Sequence, residues 1–130
     1  MKFLHLVALK STQLLEKLIC LDNLMAISRQ NHSFVREILE VYLTSTPKDL
    51  DKLEHHVHDK NWEMVRYFAH KLKSSSFTIG FDKGYRIFQT MEDIIKDQQD
   101  VSVIPEHLDQ AQRLCHEAQV QVKIELSSYV

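Results

Sequence analysis

The scarcity of chain-reversing residues constrains this sequence most: in 130 residues there are two glycines, Gly80 and Gly84, and two prolines, Pro47 and Pro105. A sheet protein of this length reverses direction every ~8–12 residues and spends Gly, Pro, Asn and Asp on the tight turns. With so little of that punctuation, long helices are the default. The apolar residues agree, because they recur at separations of three and four, the period of one helical face. One set is Phe34, Ile38, Val41 and Tyr42, continuing through Leu50, Leu53 and Val57. A second is Trp62, Val65, Ala69, Leu72 and Ser76; a third, Ile87, Met91, Ile94 and Ile95, follows Gly80. The fourth follows Pro105 and comprises Leu108, Ala111, Leu114, Cys115, Ala118, Val122 and Leu126. Four amphipathic helices must bury their stripes against one another, so the expected fold is all-α, a four-helix bundle occupying residues 21–130. Residues 2–19 carry Leu4, Val7, Leu14, Leu15, Leu18 and Ile19, and are expected to add an N-terminal helical extension, residues 1–20, outside that bundle.

The helix boundaries have chemical reasons. Asn31 or Ser33 can cap the helix entering Phe34, since a short polar side chain accepts from the first free amides. Pro47 lacks the amide that would complete its turn, so residues 31–58 form either one bent helix or two. Asp59-Lys60-Asn61 reads as a tight link, with Asn61 as the next cap. Gly80 suits a turn or a close approach, and Pro105 suits a first helical turn.

Composition excludes several functions. A formal net charge of -2 provides no basic field for nucleic acid. No apolar run reaches the ~18 residues of a membrane span, and the apolar start from Met1 to Leu9 runs into Lys10 with no small-residue cleavage site. A cytoplasmic protein is expected. Cys20 and Cys115 are too few and too far apart for metal-type spacing and are expected to be buried packing thiols.

The chemistry concentrates in Ala69-His70-Lys71-Leu72-Lys73-Ser74-Ser75-Ser76-Phe77-Thr78-Ile79-Gly80. This stretch resembles the core motif of histidine-containing phosphotransfer (HPt) domains, in which a histidine is followed by leucine and lysine two and three residues on, then small residues, then glycine. The order of segments from about Leu21 to the C-terminus, and the Asn61-Trp62-Glu63 link, are similar to the same family. Two positions depart from it: Ser74 and Phe81 stand where the family commonly has glycine and alanine. The resemblance implies a phosphocarrier with no kinase activity of its own, relaying phosphoryl groups between aspartates of response-regulator receiver domains and a hybrid sensor kinase. It implies no cofactor on this chain, the Mg²⁺ belonging to the receiver. A chain of this length, beginning with Met, is expected to be free-standing and to act as a monomer.

The residues themselves support that chemistry. On a helix advancing 100° per residue, Trp62, Val65, Phe68, Ala69, Leu72, Ser76 and Ile79 form one broad stripe, and His70 points away from it. Its neighbours at three and four residues are Arg66, Tyr67, Lys73 and Ser74. Phosphoryl transfer asks for an in-line nucleophile and positive charge at the equatorial oxygens. His70 would supply the nucleophile and carry the phosphoryl group; Lys73 would stabilise the phosphate. Histidine ordinarily titrates near pH ~6.5, and the neighbouring cations would favour its neutral, nucleophilic form. Arg66, Tyr67, Ser74 and Phe77 would form the partner-binding rim. There is no glycine-rich phosphate loop, so phosphate must arrive from another protein.

The other readings are weaker. A helical adaptor could bind a receiver through the same face without carrying phosphate. His55, His56 and His58 suggest metal, but His56 is swung away from the face shared by the other two, and no metal site is expected. Glu92 is expected on a solvated face, though it could reach the His70 face from the next helix. Trp62, Phe34 and Phe68 are expected in the core.

Overall fold

The computed structural model describes residues 16–129, and within them every regular element is helical. A short helix α1, Asp22–Ile27, leads into α2, His32–His58. Then come α3, Trp62–Thr78, and α4, Asp82–Lys96. A single 3₁₀ turn, Val101–Val103, feeds α5, Ile104–Ser127, with Pro105 in its first turn. Helix α2 packs on α3 and α5, and α4 packs on the same two, so α2 to α5 close around one core. The expected four-helix bundle is the fold.

Local chemistry sets the ends. The Asn31 side chain accepts from Phe34 N at 3.2 Å, and Asn61 accepts from Met64 N at 3.4 Å, so both expected caps form. Helix α3 ends with Gly80 at φ 66°, the Gly80 amide donating to Phe77 O and the Phe81 amide to Ser76 O. This is a left-handed closure that satisfies the last carbonyls. Lys60 and Gln98 close α2 and α4 in the same left-handed conformation. Pro47 sits inside α2, which runs through it as one helix of 27 residues, about 40 Å long.

The inward stripe of α2 matches the expected one at Tyr42, Leu50, Leu53 and Val57 and differs from it in the first turns of the helix. Val35, Leu39, Tyr42, Thr46, Asp49, Leu50, Leu53 and Val57 are buried, whereas Phe34 and Val41 lie exposed and Ile38 half-buried. In those first turns α2 offers two apolar rows one residue apart, Phe34 with Ile38 and Val35 with Leu39, and the bundle buries the second. Its buried Asp49 is satisfied by Lys71 Nζ at 3.0 Å, an ion pair that links α2 to α3. Trp62 is half-buried, and Phe68 is core.

Residues 16–20 correct a second expectation. They form no helix, and they pack into the bundle rather than lying outside it. Leu18 and Ile19 are buried, and Leu18 N donates to Gln121 Oε1 at 2.8 Å. The Gln121 amide donates back to the Glu16 carbonyl, and Cys20 N donates to Ile79 O at 3.1 Å. Backbone groups that could form no helix of their own are thus satisfied across the chain. The remainder of the expected extension, residues 1–15, lies outside the described residues. Cys20 is exposed, contrary to expectation, because its backbone rather than its side chain is turned to the bundle; Cys115 is buried.

This packing explains Gly80 twice over. A Cβ there would stand 2.0 Å from the Cys20 carbonyl oxygen, and the φ of 66° independently disfavours any other residue. Gly84 serves its neighbour: a Cβ would lie 2.4 Å from the ring of Phe81, which is fully buried over the first turn of α4.

Candidate functional site

Helix α3 presents its two faces as its periodicity demands. Val65, Phe68, Ala69, Leu72, Ser76 and Ile79 are buried, while Arg66, Tyr67, His70, Ser74 and Phe77 are exposed. The His70 imidazole is 62% exposed and stands out from the bundle wall. Of the serines, Ser75 and Ser76 spend their hydroxyls on helix carbonyls, donating to Lys71 O at 3.2 Å and Leu72 O at 2.8 Å. Ser74 remains on the His70 face. Tyr67 and Phe77 are exposed apolar rings on either side of it, Phe77 lying 6.0 Å from the Tyr85 ring of α4.

The decisive geometry comes from α4. Both carboxylate oxygens of Glu92 lie 3.1 Å from His70 Nδ1. The same carboxylate receives Lys73 Nζ at 3.1 Å, and Lys73 also donates to Gln89 Oε1 at 3.0 Å. Gln89 is held in turn, its amide donating to Asp93 Oδ1 at 2.8 Å. The Lys73 and Glu92 side chains are only 14% and 12% exposed, so the pair is shielded while the imidazole it supports is wet. Burial pushes the Glu92 carboxyl up, but the hydrogen bonds and positive charge of His70 and Lys73 outweigh it and hold the group below the usual carboxylate range. Glu92 is therefore an anion that can only accept. An imidazole facing it donates from Nδ1 and keeps its lone pair on Nε2.

The surroundings of His70 are thus not the purely basic face expected from α3 alone. Arg66 is exposed on that helix, but the charge of Lys73 is matched by Glu92. Sequence reasoning left Glu92 undecided and missed Gln89 and Asp93. Their spacing of three and four on one helix is a usable signal, yet only the rotation of α4 against α3 brings Glu92 to His70 and Gln89 to Lys73.

The remaining histidines assemble differently. His55 Nε2 lies 3.1 Å from Asp59 and His58 Nδ1 3.3 Å from it, while His56 stacks on Phe68. Among the described residues no three His, Cys, Asp or Glu side chains are arranged to hold a metal ion, and no helix is long and apolar enough to cross a membrane.

Comparison with known proteins bears on the family and the fold. A family model described as the Hpt domain matches residues 37–123. Among solved structures, the crystal structure of the HPT domain from an Hpt sensor hybrid histidine kinase of Shewanella aligns with a TM-score of 0.75 at 20% identity, covering 85% of this chain and 95% of that one. At that identity the likeness is one of fold. No curated protein matches the chain.

Proposed function

The chain belongs to the Hpt domain family, and on that premise we propose that it relays a phosphoryl group between receiver-domain aspartates in a multistep two-component pathway, with His70 as the carrier. Hpt domains are phosphotransfer modules of two-component signalling, phosphocarriers rather than enzymes, that work with receiver domains in hybrid kinase systems.

The observation that carries the reading is the Glu92 carboxylate at 3.1 Å from Nδ1 of an otherwise exposed histidine. It favours the tautomer whose nucleophilic lone pair is on Nε2, the nitrogen away from Glu92. A phosphoryl group on the receiver's aspartate meets Nε2 in line once the partner docks over α3. Lys73, one helical turn on, turns from Glu92 towards the transferring oxygens and stabilises their charge; Arg66 adds a second cation at the rim. Tyr67 and Phe77 supply exposed apolar contact for the docked receiver, and Ser74 is small enough to permit close approach. The Mg²⁺ belongs to the receiver, and this chain brings no cofactor. It acts in the cytoplasm, as a monomer, and takes phosphate from proteins rather than from ATP.

The test is transfer of label from a phosphorylated receiver domain to the purified chain and to His70→Gln. Wild-type protein should label and the variant, with its fold intact, should not. Labelling of His70→Gln at the wild-type rate would refute the assignment. Binding of the receiver with no label on the wild-type chain would leave an adaptor in its place.

A further inference from the structure

Beyond Lys73 the outer face of α3 runs into a cleft. Lys73 Nζ stands 6.0 Å from the centre of the Tyr85 ring, and the same ring lies 6.0 Å from that of Phe77, centroid to centroid. Phe77 and Tyr85 line a cleft of about 310 Å³ at the turn from α3 to α4, together with Gly80, Phe81, Asp82 and Asn23 of α1. Phe81 is fully buried and Tyr85 half-buried, whereas Phe77 is 71% exposed, a large apolar ring left standing in water. The charges around the cleft are already matched. Asp82 is paired with Arg86 at 2.9 Å and Lys73 with Glu92 at 3.1 Å. A charged side chain entering here would shed its hydration without gaining a partner, while an aliphatic one would exchange water for aromatic surface.

We propose that this cleft seats one aliphatic side chain of the receiver that docks over His70, and that Tyr85, as its half-buried wall, determines which receivers the chain serves. The inference rests on His70 being the phosphoryl carrier. Position along the helix argues for a receiver as the occupant. Phe77 is seven residues from His70, a rise of about 10 Å. A partner that buries a standard footprint of about 800 Å² centred on His70 covers a radius of about 16 Å, so it lies over the cleft whenever it engages the imidazole. An aromatic pair at that distance is placed as an anchor within the footprint rather than at its dry margin, and anchors of this kind carry most of the affinity of an interface. Phe77 stands on the exposed face of α3 and moves with the docked partner. Tyr85 is held between Phe77 and Lys73, so its position, and with it the shape of the cleft, is set before the receiver arrives. A receiver that offers a polar or charged residue at this point docks over the same histidine but leaves the cleft unfilled, and is served more slowly.

The test uses the full chain and a phosphorylated receiver domain that labels it, with initial rates of transfer followed against receiver concentration. Tyr85→Ala should raise KM about tenfold and lower the rate at saturating receiver by much less, because it removes docking surface rather than the carrier. Tyr85→Phe should keep the wild-type KM, since the ring and not the hydroxyl forms the wall. Phe77→Ala, at a position too exposed to endanger the fold, should raise KM in the same way. Surface aliphatics of the receiver are then replaced one at a time by alanine. One of them should cost about tenfold against the wild-type chain and almost nothing against Tyr85→Ala, the mark of two side chains in contact. Unchanged KM in both Tyr85→Ala and Phe77→Ala overturns the inference and leaves the carrier role intact, and so does a raised KM that no aliphatic of the receiver shares. A wild-type chain that no receiver labels overturns the carrier role and this inference with it.

Discussion

Replacing Lys73 by methionine isolates the charge that the site depends on. Methionine keeps most of the apolar stem, which lies by the Tyr85 ring with Nζ 6.0 Å from its centroid, and removes only the ammonium. The lost interactions are the 3.1 Å ion pair to Glu92 and the 3.0 Å hydrogen bond to Gln89, in a pair less than one-sixth exposed. A partly shielded charge-assisted bond of this kind is worth about 1–2 kcal/mol, and the carboxylate left behind keeps its contact with His70. At neutral pH Lys73→Met should therefore unfold in urea with about 1–2 kcal/mol less stability, a fall of roughly 5 °C in Tm. The pH dependence fixes the cause. The folded-state pKa of Glu92 is lowered, so its contribution is fully present above the unfolded carboxylate range and is lost as the pH falls through the folded value. The gap between wild type and variant should accordingly narrow as the pH drops below the usual carboxylate range. A gap that is unchanged across that range would mean that packing, not charge, was removed. No gap at pH 7 would refute the shielded ion pair altogether.

Other consequences follow from the same geometry. Gly80→Ala should cost about 2–4 kcal/mol, from a left-handed alanine and the displaced Cys20 backbone, and hydrogen exchange at the Cys20 amide should accelerate. Asn61→Ala should remove about 1 kcal/mol by uncapping α3, measured by urea denaturation, without altering the position of His70 on the helix. The two thiols should separate in a reagent titration at pH 8. Cys20 is exposed and should react at once; Cys115, buried and pushed up to about 12, should react only on unfolding.

Much of this was legible in the sequence, and the failures are informative. Helix α3 is unambiguous because it carries a single apolar stripe, so the outward position of His70 follows from spacing alone. Helix α2 carries two, through Phe34 and Ile38 and through Val35 and Leu39, and hydrophobicity cannot rank them. The buried row is the one that carries Asp49 to Lys71, a contact between helices that no local pattern announces. Residues 16–20 escaped for a related reason. Their order comes from Gln121, more than a hundred residues away, and from the Ile79 carbonyl, not from any period of their own. Glu92 read as a solvated carboxylate because it stands in an acidic run with Asp93, Asp97 and Asp100. Its role lies in the rotation of one helix against the next.

The most direct measurement of the central claim is the position of the phosphorus in the phosphorylated chain, read from ¹⁵N–³¹P coupling in isotopically labelled protein. The chain holds eight histidines, each with two ring nitrogens, so the outcome is discriminating. Phosphorus bonded to Nε2 of His70 is the predicted result. Phosphorus on Nδ1 of His70 would contradict the orientation assigned to Glu92, and phosphorus on any other side chain would contradict the site.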